Sequence, residues 1–367
     1  MMTAFFCTHC GLPYPNQGVP YLCPNCAGVF DLPGLPELRL DQVDPHLPGM
    51  WRYRHVFGLS PDAPLISLGE GSTPLLPVEY EGRAVWLKLE SLNPTGSYKD
   101  RGSAVLLSQL AARGVREAVE DSSGNAGASF AAYAARAGVK ARVFVPESAS
   151  GPKRSQIEAY GAELVCVPGP RSAAAAAVLE EVNRGAIYAS HAFLPFGLPG
   201  IATIAFEILE QLGQAPGTVI APVGHGGLLL GLIHGFLALQ QAQIGAAPYF
   251  VGVQAKACSP VWAGYTSGLA AIGQAPEGPT VAEGVRVRWP VRAEAILRLL
   301  QQVPGQVLAV EEDDILPAYG EMAQAGFHVE PTSSLVWAAH KQVFGKVPEP
   351  IVLILSGSGL KYLPAAK

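Results

Sequence analysis

Leu92-Asn93-Pro94-Thr95-Gly96-Ser97-Tyr98-Lys99-Asp100-Arg101-Gly102 sets a lysine between a sharp turn and the start of a helix. Asn-Pro-Thr-Gly is a turn signal, and helical character resumes near Asp100 and runs to about Arg113. A cation is disfavoured at the positive end of a helix. The same field favours the neutral amine, the form that attacks a carbonyl carbon. Strand and helix patterns alternate on both sides of this segment. Residues 84–90, 118–121, 141–146, 162–167, 218–222, 249–254 and 351–355 read as strands, and 124–137, 155–160, 173–183 and 228–240 as helices. Residues 65–75 read as a loop closing on a turn. This alternation predicts an α/β fold of parallel sheets with crossover helices.

At roughly 100–200 residues per domain, the 367-residue chain predicts about two domains and a small appendage. Apolar residues make up 49% of it and charged residues 15%, which excludes wholesale disorder. The net charge of −5 argues against nucleic acid as a partner. Residues 1–7 have no basic region followed by a long apolar one, so no secretory signal is expected. The most apolar stretch, 221–239, is broken by Pro222, His225, His234 and glycines and falls short of a membrane span. A cytoplasmic protein is the expectation, and disulfides are not.

Clustered cysteines then read as metal ligands. Cys7-Thr-His-Cys10 and Cys23-Pro-Asn-Cys26 each bring two thiolates to one tight turn. Together they complete a tetrahedral sulfur shell suited to structural Zn2+, with no position left open for catalysis. Gly11 and Gly28 suit knuckle turns, and His9 reads as a bystander. Four unrelated buried thiols, or a redox or iron role, are the other readings. Cys166 and Cys258 read as ordinary buried thiols.

Three further segments sit where strands end. Asp121-Ser-Ser-Gly-Asn-Ala-Gly127 opens a helix, and free N–H groups there make an anion site; an ordinary capping turn is the alternative. Pro222-Val-Gly-His-Gly-Gly-Leu228 is a glycine loop between an apolar strand and an apolar helix. In that context it can wrap a phosphate. Leu355-Ser-Gly-Ser-Gly-Leu-Lys361 follows the last strand.

The lysine segment resembles the cofactor-lysine motif of threonine synthases, within the fold-type II, tryptophan-synthase β-like pyridoxal-phosphate enzymes. The resemblance spans roughly residues 65–361. Some threonine synthase-like proteins also carry an N-terminal cysteine ribbon. The resemblance implies two parallel-sheet α/β domains with the cofactor between them, plus the ribbon. Residues 1–40 would be the zinc ribbon and a Pro-rich linker. Residues 85–190 would be a smaller domain with Lys99 and the asparagine loop. Residues 41–84 and 191–367 would form a larger domain binding the cofactor phosphate.

It implies that Lys99 holds pyridoxal 5'-phosphate and acts as the base, and that Asn125 contacts its 3-hydroxyl. Ser122, Ser123, Gly124 and Ala126 would receive the substrate carboxylate. Gly224, His225, Gly226, Gly227 and Leu228 match the family's cofactor-phosphate loop; His225 either touches the phosphate or fills space. Ser356 would sit at the pyridine nitrogen. A hydroxyl there leaves the nitrogen largely unprotonated, which suits elimination and replacement over transamination. Gly69-Glu-Gly-Ser-Thr-Pro-Leu75 resembles an early family loop, in which Thr73 is either near the substrate or part of a structural turn. Lys153 and Arg154, on the loop after Pro146, are either substrate contacts or a solvated helix start.

The chain departs from the family where a lysine is common, a position that falls at Ala202, and a glutamate position falls at Pro199. A phosphorylated substrate needs cations close by. The implied activity is that of a lyase, a threonine synthase of amino-acid biosynthesis converting O-phosphohomoserine to threonine and phosphate. A serine/threonine dehydratase-like ammonia-lyase, or a catalytically silent relative whose ribbon recruits a partner, are the alternatives. A homodimer acting on a small amino acid is expected from the family.

Overall fold

A computed structural model describes residues 5–122, 124–147, 151–169 and 171–362. The strands are β1 (Phe6–Cys7), β2 (Phe30–Asp31), β3 (Leu75–Tyr80), β4 (Arg83–Lys88), β5 (Glu117–Glu120) and β6 (Lys140–Pro146). They continue with β7 (Glu163–Val167), β8 (Thr218–Pro222), β9 (Tyr249–Ala255), β10 (Gly305–Val310) and β11 (Ile351–Ile354). The α-helices are α1 (Lys99–Ala112), α2 (Asn125–Ala137), α3 (Gly151–Ala159), α4 (Arg171–Asn183) and α5 (Leu198–Leu212). They continue with α6 (Gly227–Gln241), α7 (Pro260–Ser267), α8 (Ala293–Leu299), α9 (Glu312–Gln324) and α10 (Pro331–Val343). None of the described helices is long and apolar enough to cross a membrane.

The chain divides into two units. Unit 1 takes the described residues of Met1–Glu70 and Lys99–Gly200; unit 2 takes Gly71–Tyr98 and Ile201–Tyr362. The junctions fall at Glu70/Gly71, Tyr98/Lys99 and Gly200/Ile201, so residues 41–70 lie in the same unit as Lys99.

Unit 2 is built on a six-stranded sheet of order β10-β9-β8-β11-β4-β3. All neighbours are parallel except β3, which runs antiparallel to β4 at the edge. The central strands β8 and β11 are buried at every residue. They read as unbroken apolar runs because helices cover both faces of a parallel sheet. The core joins Leu87, Val251, Val253 and Leu353 to Leu335 and Val336 of α10. The edge strand β3 shares only Leu75 with the stretch read as a loop, and its other residues were given no element. Its Pro77 is tolerated there because an edge strand has one side unpaired. A two-residue turn with both φ positive, Glu81 at 47° and Gly82 at 75°, closes the β3–β4 hairpin.

Unit 1 holds a three-stranded parallel sheet, β5-β6-β7. Val119 and Phe144 pack with Ala174 and Val178 of α4. α2 ends at Gly138, in the left-handed conformation (φ 66°) that stops a helix without a Cβ clash. The small pair β1–β2 belongs to the cysteine ribbon.

Candidate active site and metal centre

In unit 1, Lys99 is the first residue of α1. Behind it Asp100 is fully buried and accepts a hydrogen bond from Ser129 Oγ at 2.6 Å. Gly200 is packed against the same turn: a Cβ there would lie 2.2 Å from the Arg101 carbonyl oxygen.

β5 ends at Glu120, and the loop that follows turns into α2 at Asn125. The loop folds back so closely that a Cβ on Gly127 would lie 1.8 Å from the Ser122 carbonyl oxygen. Gly124 is the N-cap, in extended conformation, and no side chain caps the helix. The first N–H groups of a helix have no partner within it. Ser122, Gly124, Asn125 and Ala126 therefore share one anion-competent turn, and Ser123 lies outside the described residues. Asp121 accepts from Tyr188 Oη at 2.6 Å.

Lys153 and Arg154 lie in the first turn of α3 rather than on a loop. Lys153 is buried, one turn before Ile157, whose Cδ1 would be 3.3 Å from a Cβ on Gly127. Residues four apart share a helix face, so Lys153 is on the face turned to the start of α2. Arg154 donates instead to Cys166 Sγ at 3.0 Å. Cys166 is exposed, which corrects the expectation of a buried thiol: alternate residues of β7 face outward. Cys258 is buried as expected.

In unit 2, β8 leads into the glycine loop and then α6. Gly226 is the N-cap at φ 103°, and a Cβ there would lie 2.7 Å from Ile296 Cδ1. A Cβ on Gly224 would lie 2.8 Å from the Gly284 carbonyl oxygen. No side chain caps α6, so the N–H groups around Gly227 and Leu228 point into the cradle. The His225 carbonyl accepts from the Arg292 N–H at 3.2 Å.

The turn before Lys99 is stitched to the segment after β11. The Tyr98 N–H donates to the Ser356 carbonyl at 3.0 Å, the Ser358 N–H to the Gly96 carbonyl at 2.9 Å, and Lys361 Nζ to the Thr95 carbonyl at 2.7 Å. Ser356 is buried, its hydroxyl 3.1 Å from that of Ser333. Thr73 is buried too, and its hydroxyl donates to Glu90 at 2.7 Å. The Ser72–Thr73 backbone is gripped by a buried ion pair, Lys88–Glu207 at 2.8 Å. Lys88 Nζ donates to the Thr73 carbonyl, and the Ser72 N–H to Glu207. In unit 1 the preceding Glu70 is fully buried and accepts from Trp51 Nε1 at 2.5 Å and Tyr133 Oη at 2.6 Å.

Ala202, at the position where the family commonly has lysine, is fully buried. A Cβ on Gly235 of α6 would lie 2.4 Å from its carbonyl oxygen.

The ligand atoms of Cys7, Cys10, Cys23 and Cys26 all lie within 4.8 Å of one another, a cluster that can hold a metal ion. His9 is outside that set. The two knuckles are alike: the Gly11 N–H returns to the Cys7 carbonyl and the Ala27 N–H to the Cys23 carbonyl, at 3.0 and 2.8 Å. A Cβ on Gly28 would lie 2.8 Å from Cys7 Sγ. The Leu12 N–H, then the Asn25 side chain, pull the Cys10 thiol down to about 6, while the Cys26 thiol, hydrogen-bonded to Cys7, is pushed up to about 12.

Sequence reading missed the supporting residues. Gly127 closes a quoted motif but was given no role, and Ser333 and the Lys88–Glu207 pair carry no motif of their own. Their partners are 5 to 119 residues away in the chain, measured from the Ser122, Ser356 and Glu207 contacts.

The chain resembles known proteins along most of its length. The model of the family described as pyridoxal-phosphate dependent enzyme matches residues 66–357. A threonine synthase of Methanocaldococcus jannaschii is 33% identical, over 98% of this chain and 93% of that protein. One of Methanosarcina acetivorans is 30% identical, over 97% and 91%. The crystal structure of a threonine deaminase from T.th. superposes with a TM-score of 0.69 at 29% identity, over 80% of this chain and 94% of that one. The donor set fits the group the family implies: an amine, two uncapped helix starts cleared by glycine, and a buried hydroxyl.

Proposed function

We propose that this chain, which belongs to the pyridoxal-phosphate dependent enzyme family in its threonine synthase-like, fold-type II branch, is a threonine synthase that forms threonine and phosphate from O-phosphohomoserine. The observation that carries the reading is the stitching of the turn that leads to Lys99 onto the Ser356 segment, by the Tyr98 N–H on the Ser356 carbonyl and the Ser358 N–H on the Gly96 carbonyl.

When bound, pyridoxal phosphate supplies an electron sink for charge developing at the substrate Cα. Lys99 would hold it by its amine, and the free amine would serve as the base at the substrate Cα. The Asn125 amide would hold the ring through its 3-hydroxyl. Gly224, His225, Gly226, Gly227 and Leu228 hold the phosphate with backbone N–H groups and the α6 dipole. Ser356, kept in place by Ser333, leaves the pyridine nitrogen without a counter-charge, which favours elimination and replacement. Ser122, Ser123, Gly124 and Ala126 receive the substrate carboxylate. Lys153, rather than Arg154, is the cation for a substrate's second anion, since Arg154 is spent on Cys166. Thr73 acts through Glu90, as support for the loop. The four cysteines hold Zn2+ as a closed structural site. We place the enzyme in the cytoplasm as a homodimer, by family resemblance.

The buried Ala202 favours a second reading, a serine/threonine dehydratase-like ammonia-lyase, which has no need of a cation there. Paired assays separate the two. Phosphate release from O-phosphohomoserine supports the first, and keto-acid release from serine or threonine without phosphate chemistry supports the second. Neither activity, with no change in cofactor absorbance on Lys99→Ala, refutes both.

A further inference from the structure

One face of α2 in unit 1 carries polar side chains that packing alone does not call for. Every residue from Ala126 to Ala134 is buried, and all are alanine, glycine or phenylalanine except Ser129 and Tyr133. Residues four apart share a helix face, so Asn125, Ser129 and Tyr133 form one stripe. Tyr133 Oη donates to Glu70 at 2.6 Å. Ser129 Oγ lies 2.6 Å from Asp100 Oδ1 and 2.7 Å from Ser103 Oγ, both near the start of α1. Asp100 and Ser129 are fully buried, and Ser103 is buried too. A hydroxyl has one proton to give. Ser129 gives its own to the carboxylate, the stronger acceptor, and 2.6 Å is the length of a hydrogen bond to a charged oxygen. The Ser103 hydroxyl then donates to Ser129 Oγ, so the chain runs in one direction, Ser103 to Ser129 to Asp100. Alanine at 129 would pack like its neighbours without burying a hydroxyl, so the contact, not the packing, accounts for the serine. Ser103 stands four residues after Lys99, and Ser129 four after Asn125. The junction is therefore one helical turn, about 5–6 Å, behind each of these two residues on its own helix.

We propose that Ser129 is a positioning residue for Lys99. Through Asp100 and Ser103 it fixes the first turn of α1 against the first turn of α2, and so sets the cofactor amine in register with Asn125. Ser129 touches neither cofactor nor substrate, and no bond is made or broken at it. Asp100 is bonded directly to Lys99 along the chain, so a shift of the carboxylate is a shift of the helix start. The inference rests on Lys99 being the cofactor lysine.

The test uses the full chain loaded with pyridoxal 5'-phosphate, assayed in whichever of the two reactions the wild type performs. Ser129→Ala is expected to lower kcat per loaded site about tenfold and to leave KM within about twofold, the pattern of a reacting group held slightly out of place. The visible circular dichroism of the bound cofactor changes in amplitude, and in the cofactor-free protein hydrogen exchange across 99–103 speeds up. Ser108→Ala separates positioning from general loosening. It removes another buried hydroxyl of α1, two turns beyond Asp100, which donates to the Ala104 carbonyl at 2.9 Å and accepts from the Ile66 N–H at 3.1 Å. It should lower the urea midpoint and leave kcat and the cofactor dichroism as in wild type. Should Ser129→Ala not fold, Ser103→Ala decides, with kcat expected to fall roughly threefold because only the outer donor of the chain is lost. An unchanged kcat and superimposable dichroism in the folded variant, or an equal loss of kcat in Ser108→Ala, overturns the positioning role alone. A wild-type chain that takes up no pyridoxal phosphate, or a Lys99→Ala variant with an unchanged cofactor spectrum, overturns the reading of Lys99 and the inference with it.

Discussion

Glu207→Leu is the perturbation most sharply specified by the structure. Glu207 and Lys88 are both fully buried. The carboxylate accepts from Lys88 Nζ at 2.8 Å and from the Ser72 N–H at 2.8 Å. Lys88 also donates to the Thr73 carbonyl at 2.7 Å and to Gln211 Oε1 at 2.9 Å. Leucine leaves the ammonium facing neutral acceptors only in this set, and the Ser72 N–H without its carboxylate. Breaking a buried pair by removing one partner costs about 3–5 kcal/mol, because a charge stays behind. Ser72 is held at φ 50°, a left-handed conformation a serine does not prefer, so the loop 71–74 relaxes with it. Lys88→Met alone is expected to cost a similar amount. The double variant removes both charges, and Gln211 Nε2 still donates to Thr73. It should recover at least about 2 kcal/mol of the summed single losses, since a hydrophobic replacement of a buried pair is often near neutral. Urea unfolding of the four proteins, followed by circular dichroism, gives the cycle. The reasoning is refuted if Glu207→Leu costs less than about 1 kcal/mol or if the two single losses simply add.

Three further outcomes are expected. Gly127→Ala sets a Cβ 1.8 Å from the Ser122 carbonyl oxygen; a loop displacement of about 1 Å costs on the order of 100-fold in kcat/KM, and unchanged steady-state kinetics would exclude a role for this turn in the site. His340 is fully buried and held down to about 4, first by burial and then by Lys341. The unfolded chain binds a proton from about pH 6.5 downward and the folded chain only near 4, so stability falls as pH drops through that window, by about 2 kcal/mol at pH 5. His340→Phe should remove that loss, which urea midpoints at pH 7 and pH 5 will show. Chelation, or Cys10→Ser, should strip one metal per chain and speed hydrogen exchange across residues 5–31; purified protein without metal would end the reading of the ribbon.

The sequence made the strands and the loops at their ends legible because both are local. The β8 run and the glycines at 224–227 sit together in the chain, and so do Lys99 and its turn. What was not legible depended on distant partners. β3 was not read as a strand: Pro77 speaks against one, and nothing local shows that its other side is an edge. Its turn, Glu81-Gly82, lacks the Asn or Asp that usually announces a hairpin. Lys153 and Arg154 are adjacent and chemically alike, yet a helix sends neighbours about 100° apart. One ends buried beside α2 and the other on Cys166. Ser103 and Ser129, 26 residues apart, are each unremarked alone.

The ribbon follows the same logic, and it bears on the reading in which it recruits a partner. A recruiting module keeps an apolar face open, whereas the face that carries Phe5, Tyr14 and Phe30 is covered by the chain itself, with Phe6 and Leu12 left exposed elsewhere on the ribbon. Tyr14 stands edge-on to Phe30 at 4.6 Å and to Phe196 at 4.9 Å, and Phe5 meets Phe196 at 5.5 Å. Arg113, just beyond α1, donates to the carbonyls of Pro15, Asn16 and Gly18 at 2.9–3.1 Å. Its guanidinium lies 5.3 Å from the centre of the Tyr14 ring and 5.1 Å from that of Phe196. Three carbonyls on one terminal nitrogen and two ring faces offset the burial of this planar cation, while its Nε is buried without a hydrogen-bond partner. A metal that fixes the two knuckles therefore also fixes the loop between them against the far end of the helix that Lys99 begins. If the four cysteines hold a structural metal, it acts on the scaffold, as a brace on the C-terminal end of α1.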